Sequence, residues 1–242
     1  MSNSAALLAA SGAYKEGNVA IPNYTEVFHG PTVSAWLNNG TDPATLLIGI
    51  RGTADLRDVA TDVQLTMGKL TATARYNADA QTVQQLLQRY PKAKVFLAGH
   101  SLGGAIENQL VRQFPRITHA TEFNPAAQPY DVLFPNTSKV DRWYIAADAL
   151  YRTVGQLMRG AKVLQPTTPN PGILAAHGLT QFTGRVGAGG MGTEGEEEAG
   201  GGPTRKRGRP SLPPERARIA PSVRSQIRLA HRKLSERALK AL

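Results

Sequence analysis

Ser101 stands in the run Gly99-His100-Ser101-Leu102-Gly103-Gly104, which fits the pattern Gly-x-Ser-x-Gly. That pattern describes a nucleophile elbow: a serine on a sharp strand-to-helix turn, with its hydroxyl projecting from the end of a sheet. The turn brings neighbouring backbone close on both sides, so side chains are excluded at Gly99 and Gly103. The helix that follows aims its first amides at a developing oxyanion, and the Leu102 amide is one such donor. A hydroxyl is a poor nucleophile alone and needs a base, which in turn needs an acid to orient it.

Downstream of Ser101 the chain has three histidines, His119, His177 and His231. His119 falls in a strand-like stretch and reads as structural. His231 sits in a strongly basic tail. His177, in Ala-Ala-His-Gly-Leu with loop-like character, is the candidate base. Between serine and histidine lie Glu107, Glu122, Asp131, Asp141 and Asp148. Glu107 reads as an exposed position on the helix after the elbow, Glu122 as a strand residue, and Asp131 as a loop residue after Pro129-Tyr130. Asp148 follows directly on a strand, where a parallel sheet displays its reactive groups. It is the first choice, with Asp131 and Asp141 in reserve.

The flanking sequence supplies elements to hold these groups. Lys94–Ala98 is a buried-type strand leading into the elbow. Gly103–Phe114 has helical spacing, with Ile106, Leu110, Val111 and Phe114 on one side. Residues Val33–Leu37 and Thr45–Ile50 read as strands joined through Asn38-Asn39-Gly40, a turn signal. Ser4–Tyr14 and Tyr76–Tyr90 read as helices, and Thr118–Phe123 and Arg142–Ala146 as two further strands. Strands alternating with helices predict an α/β domain with a largely parallel sheet.

Four segments resemble the class 3 lipase family of the α/β-hydrolase superfamily. They are Ile48-Gly49-Ile50-Arg51-Gly52-Thr53, the Gly99–Gly104 run, Arg142–Leu150 with its strand followed by Asp148, and His177–Phe182. The resemblance spans roughly Ser4 to Phe182. It implies an α/β-hydrolase fold, a mostly parallel central sheet flanked by helices. It implies a serine hydrolase acting on lipid esters, a triacylglycerol lipase or phospholipase, with no metal or organic cofactor. Ser101, Asp148 and His177 would form the triad, and Thr53 would supply the second oxyanion contact beside Leu102. It also places Ala54–Val63 where family members carry a lid. Leu56, Val59, Ala60 and Val63 make an apolar face there that suits a mobile lid and a plain surface helix equally. Only 28 residues separate Asp148 from His177, and the chain has no cysteine. Little room is left for an elaborate acyl pocket, so a phospholipid, monoacylglycerol or smaller ester is as well suited as a triglyceride.

Charge divides the 242 residues unevenly. Pro203 to Leu242 hold 12 Lys+Arg against 2 Glu, whereas Met1 to Gly202 hold 16 of each sign. All 15 aromatic residues lie at or before Phe182. A charged segment without aromatics cannot bury enough apolar surface to offset its ordering entropy. The expected organisation is a folded domain over 1–185, a Gly/Glu-rich flexible linker over 186–203 and a basic tail over 204–242. Within the tail, Arg205-Lys206-Arg207-Gly208-Arg209-Pro210 resembles an AT-hook, whose arginines enter a narrow A·T minor groove. A nuclear import signal or a solubilising tail reads the same residues equally well. Ser222–Leu242 has helical spacing, with Val223, Ile227, Ala230 and Leu234 on a thin apolar face between basic flanks. Such a helix suits an anionic membrane, nucleic-acid phosphates or an acidic partner protein.

No apolar run reaches transmembrane length, and no signal peptide is recognised at the N-terminus. The expected location is the cytoplasm or nucleus, or a virion. The rival reading is a nucleic-acid-binding protein that keeps a hydrolase fold without turnover.

Overall fold

Along Thr45–Ile50, the residues Leu46, Ile48 and Ile50 alternate with Leu47 and Gly49, and the whole strand is buried. Side chains on a strand point alternately to opposite faces, so this strand serves two cores. Leu46, Ile48 and Ile50 belong to one apolar cluster and Leu47 to another on the opposite face. The computed structural model describes residues 1–15, 19–53 and 69–186. The expected Ala54–Val63 lid or helix, most of the linker and the whole basic tail lie outside the described residues.

The elements run in the order α1 (Asn3–Gly12), β1 (Thr25–His29), β2 (Val33–Asn38), β3 (Thr45–Ile50), α2 (Ala74–Arg89), β4 (Lys94–His100), α3 (Leu102–Gln113), β5 (Ile117–Phe123), α4 (Pro129–Leu133), β6 (Val140–Ile145), α5 (Ala149–Thr153), β7 (Ala161–Leu164) and α6 (Ile173–His177). The seven strands form one sheet in sequential order. Strands β1, β2 and β3 pair antiparallel, and β3 to β7 pair parallel. The result is the expected α/β-hydrolase-like arrangement, a mostly parallel sheet with helices on both faces.

Each sequence-predicted element that falls within the described residues is present, its ends within a few residues of those expected. Two strands escaped the sequence reading, β1 and β7. Both are sheet edges, and neither has a fully buried residue. Without a buried face they carry no clean apolar alternation. The short helices α4, α5 and α6 escaped as well. Asp131 and His177, read as loop residues, therefore stand on α4 and at the end of α6.

On one face of the sheet, α2 contributes Tyr76, Ala80, Val83, Leu86 and Leu87, and α3 contributes Ala105, Ile106, Leu110 and Val111. Thr73 caps α2 by accepting from the Tyr76 amide at 3.1 Å. On the other face, α1 lays Ala6, Ala9 and Ala10 on the sheet. Small residues allow the helix to touch the strand directly. A Cβ at Gly49 would stand 2.9 Å from the Ala9 carbonyl carbon, so only glycine fits. Trp36 fills the space beside this contact. It is 1% exposed, and its indole N–H donates to the Val19 carbonyl at 3.0 Å. Among the described residues, no helix is long and apolar enough to cross a membrane.

Trp36 is the largest fully buried side chain of the α1 face. Trp36→Ala is expected to lower the unfolding free energy by about 3–5 kcal/mol, the usual cost of a large core truncation. Urea denaturation followed by far-ultraviolet circular dichroism would measure it, and a loss under about 1 kcal/mol would contradict this packing.

Candidate active site

The end of β4 runs directly into α3, and Ser101 is the single residue between them. Its backbone takes φ 57° and ψ −123°, a conformation that L residues rarely occupy. Several hydrogen bonds hold it there. The Ser101 amide donates to the Phe123 carbonyl at 3.1 Å, and the Ser101 carbonyl accepts from Gly104, Ala105 and Ala126. The glycines permit the crossing. A Cβ at Gly103 would stand 3.0 Å from the Arg51 carbonyl carbon, and one at Gly104 would stand 2.7 Å from Pro125 Cβ. At Gly99 a Cβ would overlap the Glu107 carboxylate and the Gly103 backbone.

Ser101 is fully buried, and its Oγ has no hydrogen-bond partner. Leu102 is the first residue of α3, so its amide has no intrahelical acceptor. Thr53 follows β3 on the neighbouring strand, and its Oγ1 is buried and unpartnered. Gly52 lies tight against the elbow, since a Cβ there would stand 2.6 Å from the His100 carbonyl and 3.0 Å from Ser101 Cβ.

Asp148 is the N-cap of α5, and its Oδ1 accepts from the amides of Leu150 at 2.7 Å and Tyr151 at 3.2 Å. Its other oxygen lies 2.6 Å from His177 Nδ1. Both residues are buried. The carboxylate therefore holds the proton of His177 on Nδ1, which leaves Nε2 as the acceptor nitrogen. His177 Nε2 is buried and without a partner. Such an arrangement makes an imidazole a base with a chosen tautomer.

The reserve acids are engaged elsewhere. Asp131 is fully buried in the α4 cap and takes hydrogen bonds from Gln109 at 2.9 Å and Arg112 at 3.3 Å. Asp141 pairs with Lys162 at 2.8 Å and with His119 at 3.1 Å. Glu107 is not an exposed helix residue, since it is fully buried. It faces the sheet beneath the elbow, where its Oε1 accepts from the Thr121 amide at 3.1 Å. Glu122, on β5, is also buried, with Arg142 Nε 3.0 Å from its Oε2. Burial, reinforced by the Glu122 charge, pushes the Glu107 carboxyl well above its usual range. Burial also pushes Glu122 up to about 8, against the opposing pull of Arg142. His231 and the residues Arg205 to Pro210 lie outside the described residues.

Two polar residues near this centre carry no sequence motif. Asn124 follows β5 with φ 41°. Its amide group donates to the carbonyls of Ala176 at 3.2 Å and His177 at 3.1 Å, and its Oδ1 accepts from the Ile145 amide at 2.8 Å. Tyr14, just after α1, places its hydroxyl 2.9 Å from the Gly52 amide and 2.8 Å from His100 Nδ1. His100 is buried, and its ring lies 4.6 Å from that of His177, centroid to centroid.

Residues 47–108 match the family model of lipase (class 3). The match supports a lipase-type hydrolase, and it contains Thr53, Ser101 and Leu102, whereas Asp148 and His177 lie beyond it. Among solved structures, the chain is similar to lipase II from Rhizopus niveus at 19% identity over 64% of this chain and 74% of that one, with a TM-score of 0.43. It is similar to the lipase from Rhizopus microsporus var. chinensis at 18% identity over 61% and 66%, with a TM-score of 0.44. A triacylglycerol lipase from Penicillium expansum matches at 17% identity over 50% and 58%, with a TM-score of 0.35. No curated protein matches the chain significantly.

The site carries its own acid sensitivity. Burial, together with the neighbouring His177, lowers His100 from 6.5 to about 3. The unfolded chain takes up a proton there that the native state refuses. The stability contributed by neutral His100 is complete above pH 6.5 and is lost as pH falls toward 3. Urea midpoints of wild type and His100→Gln, compared from neutral pH down to pH ~5, should diverge in slope by up to about 1.4 kcal/mol per pH unit. Parallel slopes would contradict a neutral, buried His100.

Proposed function

We propose that the chain is a serine carboxylic-ester hydrolase acting on lipid esters, with Ser101 as nucleophile, His177 as base and Asp148 as its orienting acid. The observation that carries this reading is the buried 2.6 Å bond between Asp148 and His177 Nδ1, which leaves His177 Nε2 as the acceptor nitrogen; that nitrogen and the buried Ser101 Oγ are both without a partner. A buried polar atom without a partner is costly, and among the several such atoms of the described residues Ser101 Oγ and His177 Nε2 are the ones with nucleophile and base chemistry.

In this reading Ser101 Oγ attacks the ester carbonyl carbon as His177 Nε2 takes its proton. The amides of Leu102 and Thr53 receive the oxyanion. Collapse of the tetrahedral intermediate breaks the bond to the alkoxide oxygen, which leaves as the alcohol with the proton from His177. Water then attacks the acyl-enzyme, giving its proton to His177, and the carboxylic acid departs as Ser101 is regenerated. Every step is a proton transfer or an acyl transfer, so these side chains suffice without a redox partner. The short stretch of 28 residues between Asp148 and His177 favours phospholipids, monoacylglycerols and smaller esters no less than triglycerides.

Short-chain and long-chain p-nitrophenyl esters provide the test. Ser101→Ala should abolish measurable turnover. Asp148→Asn should lower kcat by on the order of 10³–10⁴ at little change in KM, because the histidine loses its preferred tautomer. Wild-type rates in both variants would overturn the assignment.

For the tail over 204–242 we propose electrostatic tethering of the hydrolase to a polyanion, A·T-rich DNA first. The 40 residues from Pro203 to Leu242 carry 12 basic residues against 2 acidic ones. Binding of this kind weakens steeply with salt. Truncation after Val186 should remove salt-sensitive retention on DNA while leaving ester hydrolysis within about twofold of the full chain. DNA retention that survives the truncation would contradict the tether.

A further inference from the structure

Three hydrogen bonds link Tyr14 and His100 to the two halves of the candidate site, and their directions can be deduced. His100 Nε2 lies 2.8 Å from the His177 carbonyl oxygen. A carbonyl only accepts, so Nε2 carries the proton and donates. Neutral imidazole has one N–H, so Nδ1 of His100 is the acceptor, and the Tyr14 hydroxyl donates to it at 2.8 Å. The Tyr14 oxygen in turn accepts from the Gly52 amide at 2.9 Å. The order is Gly52 N–H to Tyr14 O–H to His100 Nδ1, and His100 Nε2–H to the carbonyl of His177.

One end of this chain clamps a peptide plane. The Arg51 carbonyl and the Gly52 amide belong to the same peptide unit. The Arg75 guanidinium holds the carbonyl, and the Tyr14 hydroxyl holds the amide. The plane is therefore fixed at both ends, and the Thr53 amide is the next donor along the chain. The other end holds the backbone of His177, which Asn124 also grips at 3.1 Å.

We propose that Tyr14 is a positioning residue that ties the oxyanion-binding turn to the backbone of the base, through a single enforced tautomer of His100. This deepens the hydrolase reading above and rests on it. The reason for such a tie is geometric. The turn after β3 and the helix α6 are far apart in the chain, and an acyl-transfer site tolerates little relative drift between oxyanion donors and base. The relay keeps its protons across the working range. Burial pushes the Tyr14 hydroxyl up to about 12, even though the Gly52 amide and the Arg51 and Arg75 charges pull it down. Burial and the neighbouring His177 hold His100 near 3.

The experiment is Tyr14→Phe in the full chain, which keeps the ring and removes the hydroxyl. Three readouts are taken: the thermal midpoint, kcat and KM on p-nitrophenyl butyrate, and the ¹⁵N shifts of the His100 ring. Wild type should show a pyrrole-type Nε2 and a pyridine-type Nδ1 at His100. The variant should remain folded, lose about 10- to 100-fold in kcat with KM nearly unchanged, and show a displaced Nδ1 resonance. A folded variant with wild-type kcat and an unchanged His100 spectrum would overturn the proposal. If Tyr14→Phe does not fold, His100→Gln and His100→Leu decide instead. The glutamine amide can still donate to the His177 carbonyl, so Gln should retain at least about tenfold more kcat than Leu, and equal rates would overturn the tie. A wild type without Ser101-dependent turnover would sink the hydrolase reading separately. The His100 spectrum of Tyr14→Phe would then decide the tether alone, displaced in its favour or unchanged against it.

Discussion

The backbone of Ser101, at φ 57° and ψ −123°, is the constraint around which the rest of the domain is arranged. A non-glycine residue in so sparsely populated a region costs on the order of 1–3 kcal/mol and persists only where its surroundings over-determine it. Here the surroundings are specific. Four backbone hydrogen bonds converge on the residue, drawn from β5, α3 and the segment after β5. The absence of side chains at Gly103 and Gly104 lets α3 start against the Arg51 backbone and Pro125. The Ser101 side chain makes no capping hydrogen bond to the helix that follows it, so that helix starts with amides that have no intrahelical acceptor.

Beneath the elbow lies a second, less expected layer. Glu107 on α3, Glu122 on β5, Asp131 on α4 and Arg142 on β6 are all buried. Buried carboxylates are expensive unless hydrogen-bonded or neutralised. Glu107 accepts from the Thr121 amide, and Asp131 takes Gln109, Arg112 and the Gln128 amide. The raised pKa directions of Glu107 and Glu122 follow from the same burial. Gly99 therefore has two reasons to be glycine, the tightness of the turn and the carboxylate of Glu107 behind it.

The α1 face contributes through a close contact rather than through a large apolar surface. Alanines on α1 and Gly49 on β3 bring the helix onto the strand. That approach sets where the chain leaves α1, and so where the Tyr14 hydroxyl arrives. From there it reaches both Gly52 and His100. A wider residue at Gly49 would lift the helix and move Tyr14 away from two partners at once. Packing of small residues on one face thus reaches the polar site at the C-terminal ends of the central strands β3 and β4.

The sequence by itself determined the central elements. Strands β3 and β4 and helix α3 declare themselves through continuous apolar runs and helical spacing, and the elbow through its glycines. It also placed Asp148 after a strand and His177 further on, two residues that the fold joins by a hydrogen bond. What only the tertiary structure decided are the contacts between residues distant in the chain whose types are common. Glu107 has the spacing of a buried position, three residues before Leu110 and four before Val111, but its charge makes it read as exposed, and only the packing of α3 shows a carboxylate facing the sheet. Tyr14 and Asn124 stand in no motif, because one hydroxyl and one amide acquire their roles only when α1, β5 and α6 converge. The edge strands β1 and β7 lacked a buried face and so lacked a pattern. Periodicity records which side of an element meets apolar neighbours, whereas a hydrogen bond across 86 residues, such as Tyr14 to His100, exists only once those elements have packed.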